Sequence, residues 1–227
     1  MNRSLLCAVF GSATLLFAAD PLADVFARMD KTAQNFKGMT ADVQETVHTE
    51  IVNDNTISTG TIKLRRPKPS DVHVLVEFTN PDAPRSVELA GAKAYLYNPK
   101  TKTEQEYDVA NNQHTIEQLF ELGFGATSSE IKRNYDVTWV GAENIDGKPT
   151  SHLKLIPKSA DVLQKLKQAD LWISDSLGMP VQQKLLTTSS GDYTVFKYSN
   201  LKVANSLSDN DLKLKVPKGV QPKRVGN

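Results

Sequence analysis

The chain has 227 residues, 39% of them hydrophobic, with 27 Lys and Arg against 26 Asp and Glu and a net charge of +1. So even a balance gives no electrostatic case for nucleic acid. The one cysteine, Cys7, excludes an internal disulfide framework and a thiolate metal site.

Arg3 is the only charge before Asp20, and Leu5 to Phe17 form an apolar run that ends in Ala18-Ala19. This pattern predicts a secretory signal peptide over residues 1–19, cleaved after Ala19. The run is shorter than the roughly 20 apolar residues of a bilayer span. An uncleaved N-terminal anchor is the competing reading. Cys7 stands at the start of the apolar stretch, not after it, so lipidation is not expected. The expected product is an exported protein of a periplasm-like space, with residues 20–227 as a single domain.

The first element after the signal is a helix. Asp20 is placed to cap it and Pro21 to occupy its first turn. Leu22, Val25, Phe26, Met29, Ala33 and Phe36 form one apolar stripe at helical period, and Gly38 is expected to end it. The period then changes to two. Ala41, Val43, Val47 and Ile51 alternate with polar residues as far as the turn at Asn53-Asp54-Asn55. Ile62 and Leu64 share one face of the next strand, and Val72, Val74, Val76 and Phe78 share one face of the following strand. Turns at Asn80-Pro81, Ala90-Gly91 and Asn98-Pro99 continue the meander to Gln105-Tyr107-Val109.

Thr115 to Gln118 matches a capping box and predicts a helix carrying Ile116, Leu119 and Phe120, closed by Gly123 to Gly125. Ser159 is placed to cap a second short helix with Val162, Leu163 and Leu166. Strands are expected around Tyr135-Val137-Trp139, Leu153-Leu155, 169–174, 181–187 and 193–203. The last is expected at Leu212-Leu214-Val216, followed by a loose polar tail from Lys218. The fold class is therefore mainly β. About eleven antiparallel strands form an incomplete, half-open barrel, with an N-terminal helix and two short inserted helices as a lid.

Catalytic constellations are scarce. His48, His73, His114 and His152 lack metal-ligand spacing and read as outer-face strand residues. There is no Gly-x-Ser-x-Gly elbow, and Glu104 and Glu106 read as a solvated strand face. The chain is therefore read as a non-enzyme without cofactor or metal. Arg66 is different. It has the parity of Ile62 and Leu64, so a regular strand would turn it inward, where a guanidinium needs acceptors. A strand that ends earlier would let it reach water, and the pattern alone leaves both open.

Gly60-Thr61-Ile62-Lys63-Leu64-Arg65-Arg66-Pro67 resembles the strand ending in Arg-Pro of LolA-type outer-membrane lipoprotein carriers. Gly91 to Pro99, with Tyr95, Tyr97 and Asn98-Pro99, is similar to their aromatic Tyr-Asn-Pro stretch, and Leu212 to Val220 to their final strand and its Pro-x-Gly-Val exit. At Lys68-Pro69-Ser70-Asp71 the chain departs from the family, which has a large apolar residue there. The resemblance implies a half-open barrel with a helical lid and an apolar cavity. It implies a periplasmic shuttle that takes lipoprotein acyl chains from an inner-membrane ABC extractor to an outer-membrane acceptor. It also implies that Arg66 ties lid to barrel. Ile62, Leu64, Val72, Val74, Val76, Phe78, Leu119 and Phe120 are expected to line or cover the cavity, ordinary core being the other reading for each. A monomer is expected. The alternatives are a carrier of free lipid, or an envelope sensor or interaction module of the same fold.

Overall fold

The computed structural model describes residues 20–68, 71–110, 122–187 and 191–225. The expected signal peptide and the expected helix with Leu119 and Phe120 lie outside these residues. Helix α1 (Pro21–Ala33) is followed by β1 (Gly38–Thr49), a short 3-10 turn (Glu50–Val52), β2 (Asp54–Lys68), β3 (Asp71–Phe78), β4 (Arg85–Ala90), β5 (Lys93–Asn98) and β6 (Thr103–Asp108). After the crossing segment come α2 (Ser128–Asn134), β7 (Tyr135–Ile145), β8 (Lys148–Pro157), α3 (Ala160–Leu163), β9 (Gln168–Ser174), β10 (Pro180–Leu186), β11 (Tyr193–Val203), α4 (Asp209–Leu212) and β12 (Pro222–Val225).

Twelve strands form one sheet in the order β12-β6-β5-β4-β3-β2-β1-β11-β10-β9-β8-β7. Every neighbouring pair is antiparallel except β12 on β6. The chain winds outward from β1 to β6, crosses to the opposite edge, and winds back from β7 to β11. The long β1–β11 pairing, Met39 opposite Val203 through His48 opposite Tyr193, joins the two halves. The sheet does not close: β7 and β12 are its two ends. The architecture is an incompletely closed, mainly antiparallel barrel with helices.

Alternation sets the faces. Met39, Ala41 and Val43 of β1, Ile62 and Leu64 of β2, and Val72, Val74, Val76 and Phe78 of β3 are all buried on one inner face. At Gly60 the backbone of β3 approaches β2 closely. A Cβ there would sit 1.9 Å from the Glu77 carbonyl oxygen, so only glycine fits.

Asp20 caps α1, accepting from the Leu22 N–H at 3.0 Å, and Val25, Phe26 and Met29 are its buried stripe. They pack on Leu153, Leu155, Leu171 and Ile173, so α1 fills the β8–β9 half of the inner face. The helix ends at Ala33, short of the expected Gly38. Phe36 therefore leaves the stripe and joins the core of the other half, with Met39, Leu64 and Phe124. Gly38 instead opens β1, where a Cβ would lie 2.6 Å from the Leu64 carbonyl oxygen.

Three more expectations need correction. Ile51 does not continue the inward alternation; it lies in the 3-10 turn and is 82% exposed. Leu212-Leu214-Val216 is not a strand. Leu212 ends α4, and Leu212 and Leu214 lie across the outer face on Leu75 and Tyr97. The tail expected to be loose forms β12, which pairs in parallel with β6 from Pro222 opposite Glu104 to Val225 opposite Tyr107. Its only neighbour among the described residues is β6, and Pro222 to Arg224 are all exposed, so no alternation marks it in the sequence.

Candidate ligand-binding cavity

The β1–β4 and β10–β11 half of the inner face is not filled by α1. It encloses a cavity of about 150 Å³ lined by Val43, Glu45, Ile62, Leu64, Val76, Phe78, Val87, Phe124, Gln183, Leu185, Phe196 and Tyr198. The lining is apolar apart from Glu45, Gln183 and Tyr198. Phe124 lies in the inner core between β6 and β7 in the chain, and its ring meets Tyr198 edge-on, with centroids 5.1 Å apart. Beneath it the Tyr198 hydroxyl donates to Gln183 Oε1 at 2.7 Å, and Gln183 Nε2 donates to the Leu122 carbonyl. Burial pushes the Tyr198 hydroxyl far up in pKa, so it stays a neutral donor. These bonds tie the crossing segment to β10 and β11.

Arg66 ends the same inner face of β2. It is 6% exposed, which decides between the two readings of its parity: it points inward. Its guanidinium donates to the Gly125 carbonyl through Nη1 and to Glu130 Oε1 at 3.1 Å through Nη2. Gly125 can offer that carbonyl because it has no side chain. Its φ is +66°, and a Cβ would lie 2.2 Å from the Phe36 ring. Glu130 is the third residue of α2 and completes a capping box with Thr127. Burial raises the Glu130 carboxyl, but the Thr127 N–H and the Arg66 guanidinium outweigh it and hold the pKa below the ordinary value. Asp30 of α1 accepts from the Ser128 N–H at 2.6 Å and from its hydroxyl at 2.7 Å. Barrel, crossing segment, α2 and α1 thus meet around one arginine, beside a wider, more polar pocket of about 430 Å³.

Of the residues expected at the site, Ile62, Leu64, Val76 and Phe78 line the cavity. Val72 and Val74 lie in the same core but do not reach it, and Arg66 borders the polar pocket. Leu119 and Phe120 lie outside the described residues. Val43, Val87, Leu185 and Phe196 had the alternation to be found. Glu45, Gln183 and Tyr198 did not, because a polar residue at an inward position reads as outward until the strands are registered. His48, His73 and His152 lie on outer faces, and His114 is outside the described residues. His152 stacks on Trp172 at 4.3 Å, between Glu143 and Asp170.

Solved structures share this architecture. No protein-family model matches the sequence, and no curated protein matches it. An uncharacterized conserved protein from Thermus thermophilus superposes with a TM-score of 0.55 at 14% identity, covering 91% of this chain and 100% of its own; it shares the fold. The lipoprotein LppX of Mycobacterium tuberculosis matches at a TM-score of 0.47 and 14% identity, over 82% of this chain and 100% of its own. A LolA superfamily protein of Nitrosomonas europaea matches at 0.41 and 12% identity, over 86% of this chain and 99% of its own. Among the described residues no helix is long and apolar enough to cross a membrane.

Proposed function

We propose that this protein is a periplasmic carrier that shields lipid acyl chains from water, its passengers being the acyl chains of lipoproteins in transit from inner to outer membrane. The observation that carries the reading is the apolar cavity between the inner face of the sheet and Phe124. The motif order that resembles LolA-type carriers supports it. In this reading residues 20–227 act as a single domain and a monomer, the signal over residues 1–19 is removed, and no reaction is catalysed. An inner-membrane ABC extractor loads the carrier, and an outer-membrane acceptor unloads it.

The energetics suit a shuttle. Each buried CH₂ contributes about 0.8 kcal/mol against water, whereas transfer from a bilayer is close to neutral because both environments are apolar. Loading therefore needs an external energy source, and unloading needs only a better acceptor. Ile62, Leu64, Val76 and Phe78 form the wall in this scheme. Val72 and Val74 continue that face beside it, and Arg66 holds Gly125 and α2 against the barrel.

Native mass spectrometry of the protein purified gently from the periplasm of a diderm host tests the proposal. A bound triacylated polypeptide is the expected result. Free lipid alone replaces the lipoprotein passenger with a general lipid cargo. A protein that stays empty when offered lipids and lipoproteins overturns the carrier reading and favours the sensor.

A further inference from the structure

The cavity wall runs directly into a fixed ion pair. On the inner face of β2, Ser58 marks the end opposite Arg66, about 26 Å away at the usual rise of a strand. Glu45 of β1 stands opposite Ser58, and Arg85, the first residue of β4, stands opposite Phe78. Arg85 donates through Nη1 to Ser58 Oγ at 3.1 Å and through Nη2 to Glu45 Oε2. Its guanidinium carbon stands over the Phe78 ring, 4.0 Å from the ring centre. Phe78 and Glu45 both line the cavity, so the pair borders the space assigned to the acyl chain.

The pair has unused capacity of both kinds. A guanidinium has five N–H donors, and two bonds to the protein are in place at Arg85, whose side chain is 30% exposed. Among the described residues Glu45 Oε1 accepts no hydrogen bond. The local net charge is zero. A head bearing only negative charge would bring it against Glu45, and a cationic head would meet Arg85. A head of both signs avoids each repulsion: its anionic oxygens take the spare Arg85 donors, and its ammonium donates to Glu45 Oε1.

We infer that Arg85 and Glu45 form a headgroup site for a zwitterionic amphiphile of the phosphate-plus-amine class, whose acyl chain occupies the cavity. Ser58 and Phe78 fix the guanidinium so that its remaining donors are preorganised. The inference rests on the acyl-carrier reading of the cavity and names a free phospholipid as its passenger, because a triacylated polypeptide has neither phosphate nor free amine at its acylated end.

Calorimetric titration of the delipidated protein tests it. The probes are lysophosphatidylethanolamine, lysophosphatidylglycerol and monoacylglycerol of one acyl length, below their micelle concentrations. The ethanolamine lipid is expected to bind about tenfold more tightly than either other, the worth of one charge-assisted hydrogen bond. Glu45→Gln keeps the shape, removes the ammonium's partner and is expected to shift the preference to the anionic glycerol lipid. Arg85→Gln is expected to erase the advantage of both phospholipids over monoacylglycerol. Equal affinity of the wild-type protein for all three heads overturns the headgroup site and leaves the carrier standing, and this comparison needs no variant to fold. Binding of none of the three overturns the headgroup site too, and native mass spectrometry with lipoprotein then decides the carrier reading separately.

Discussion

Arg66 shows how one side chain can join elements distant in sequence. Its burial is tolerated because Gly125 and Glu130 accept from it. Arg66→Leu leaves both acceptors without their cation and is expected to cost about 1–3 kcal/mol in urea unfolding, with a native circular dichroism spectrum. In the proposed carrier the same variant changes the rate at which bound lipid leaves. An unchanged release rate in a folded protein would sink that role for Arg66. Glu130 makes the link pH-dependent. Its folded pKa is depressed below the ordinary 4.5, so the stabilisation is full above that value and is lost as pH falls through the folded value. Melting temperatures of wild type and Glu130→Gln are expected to converge as pH falls below the ordinary carboxylate value and through the depressed folded one. At Gly60 a Cβ would collide with the Glu77 carbonyl, so Gly60→Ala is expected to cost at least about 1–3 kcal/mol, read from the same urea curves.

At the scale of elements, helix caps and strand alternation are legible where the local signal stands alone. Asp20-Pro21 starts α1 as its chemistry requires, and β2 to β6 follow the turns at Asn80-Pro81, Gly91 and Asn98-Pro99. Helix α2 escapes that pattern although Thr127 to Glu130 carries the same capping-box signature as Thr115 to Gln118. No apolar stripe follows it, Ile131 being its one buried residue. The C-terminal segment misleads for the opposite reason. Leu212, Leu214 and Val216 alternate like a strand, but they are a strap that covers Leu75 and Tyr97 from outside. Lys63 Nζ holds it by donating to the Asp211 carbonyl, and Glu88 by accepting from the Leu214 N–H at 2.6 Å. Leu212 is 2% exposed, so Leu212→Ala is expected to cost about 2–5 kcal/mol in denaturant unfolding. Removal of everything after Val203 uncovers that apolar patch and the β6 edge, and is expected to give concentration-dependent association by light scattering.

On the scale of the molecule, function in the proposed reading comes from a mismatch between a large sheet and the few elements that cover it. Helix α1 fills the inner face over β8 and β9, and over the other half the cavity lies beside Phe124. A ligand that enters it stabilises the folded state by mass action. Saturation at about a hundred times Kd is expected to add about 2.7 kcal/mol, seen as a rise in melting temperature with lipid and none with a water-soluble head alone. The sequence by itself determined the mainly β class, the opening helix, the hairpin meander and the inward parity of Ile62 and Leu64, because those depend on neighbours a few residues apart; whether Arg66 faces in was decided by the assembled structure. The sequence could not determine that β1 pairs with β11, that Leu122 and Phe124, after β6 and before β7, lie in the inner core, or that Glu45, Gln183 and Tyr198 line one cavity. Those are matters of register between strands far apart in the chain. Pairing one residue further along would send the same side chains to the opposite face, so only the assembled sheet decides where its polar residues point.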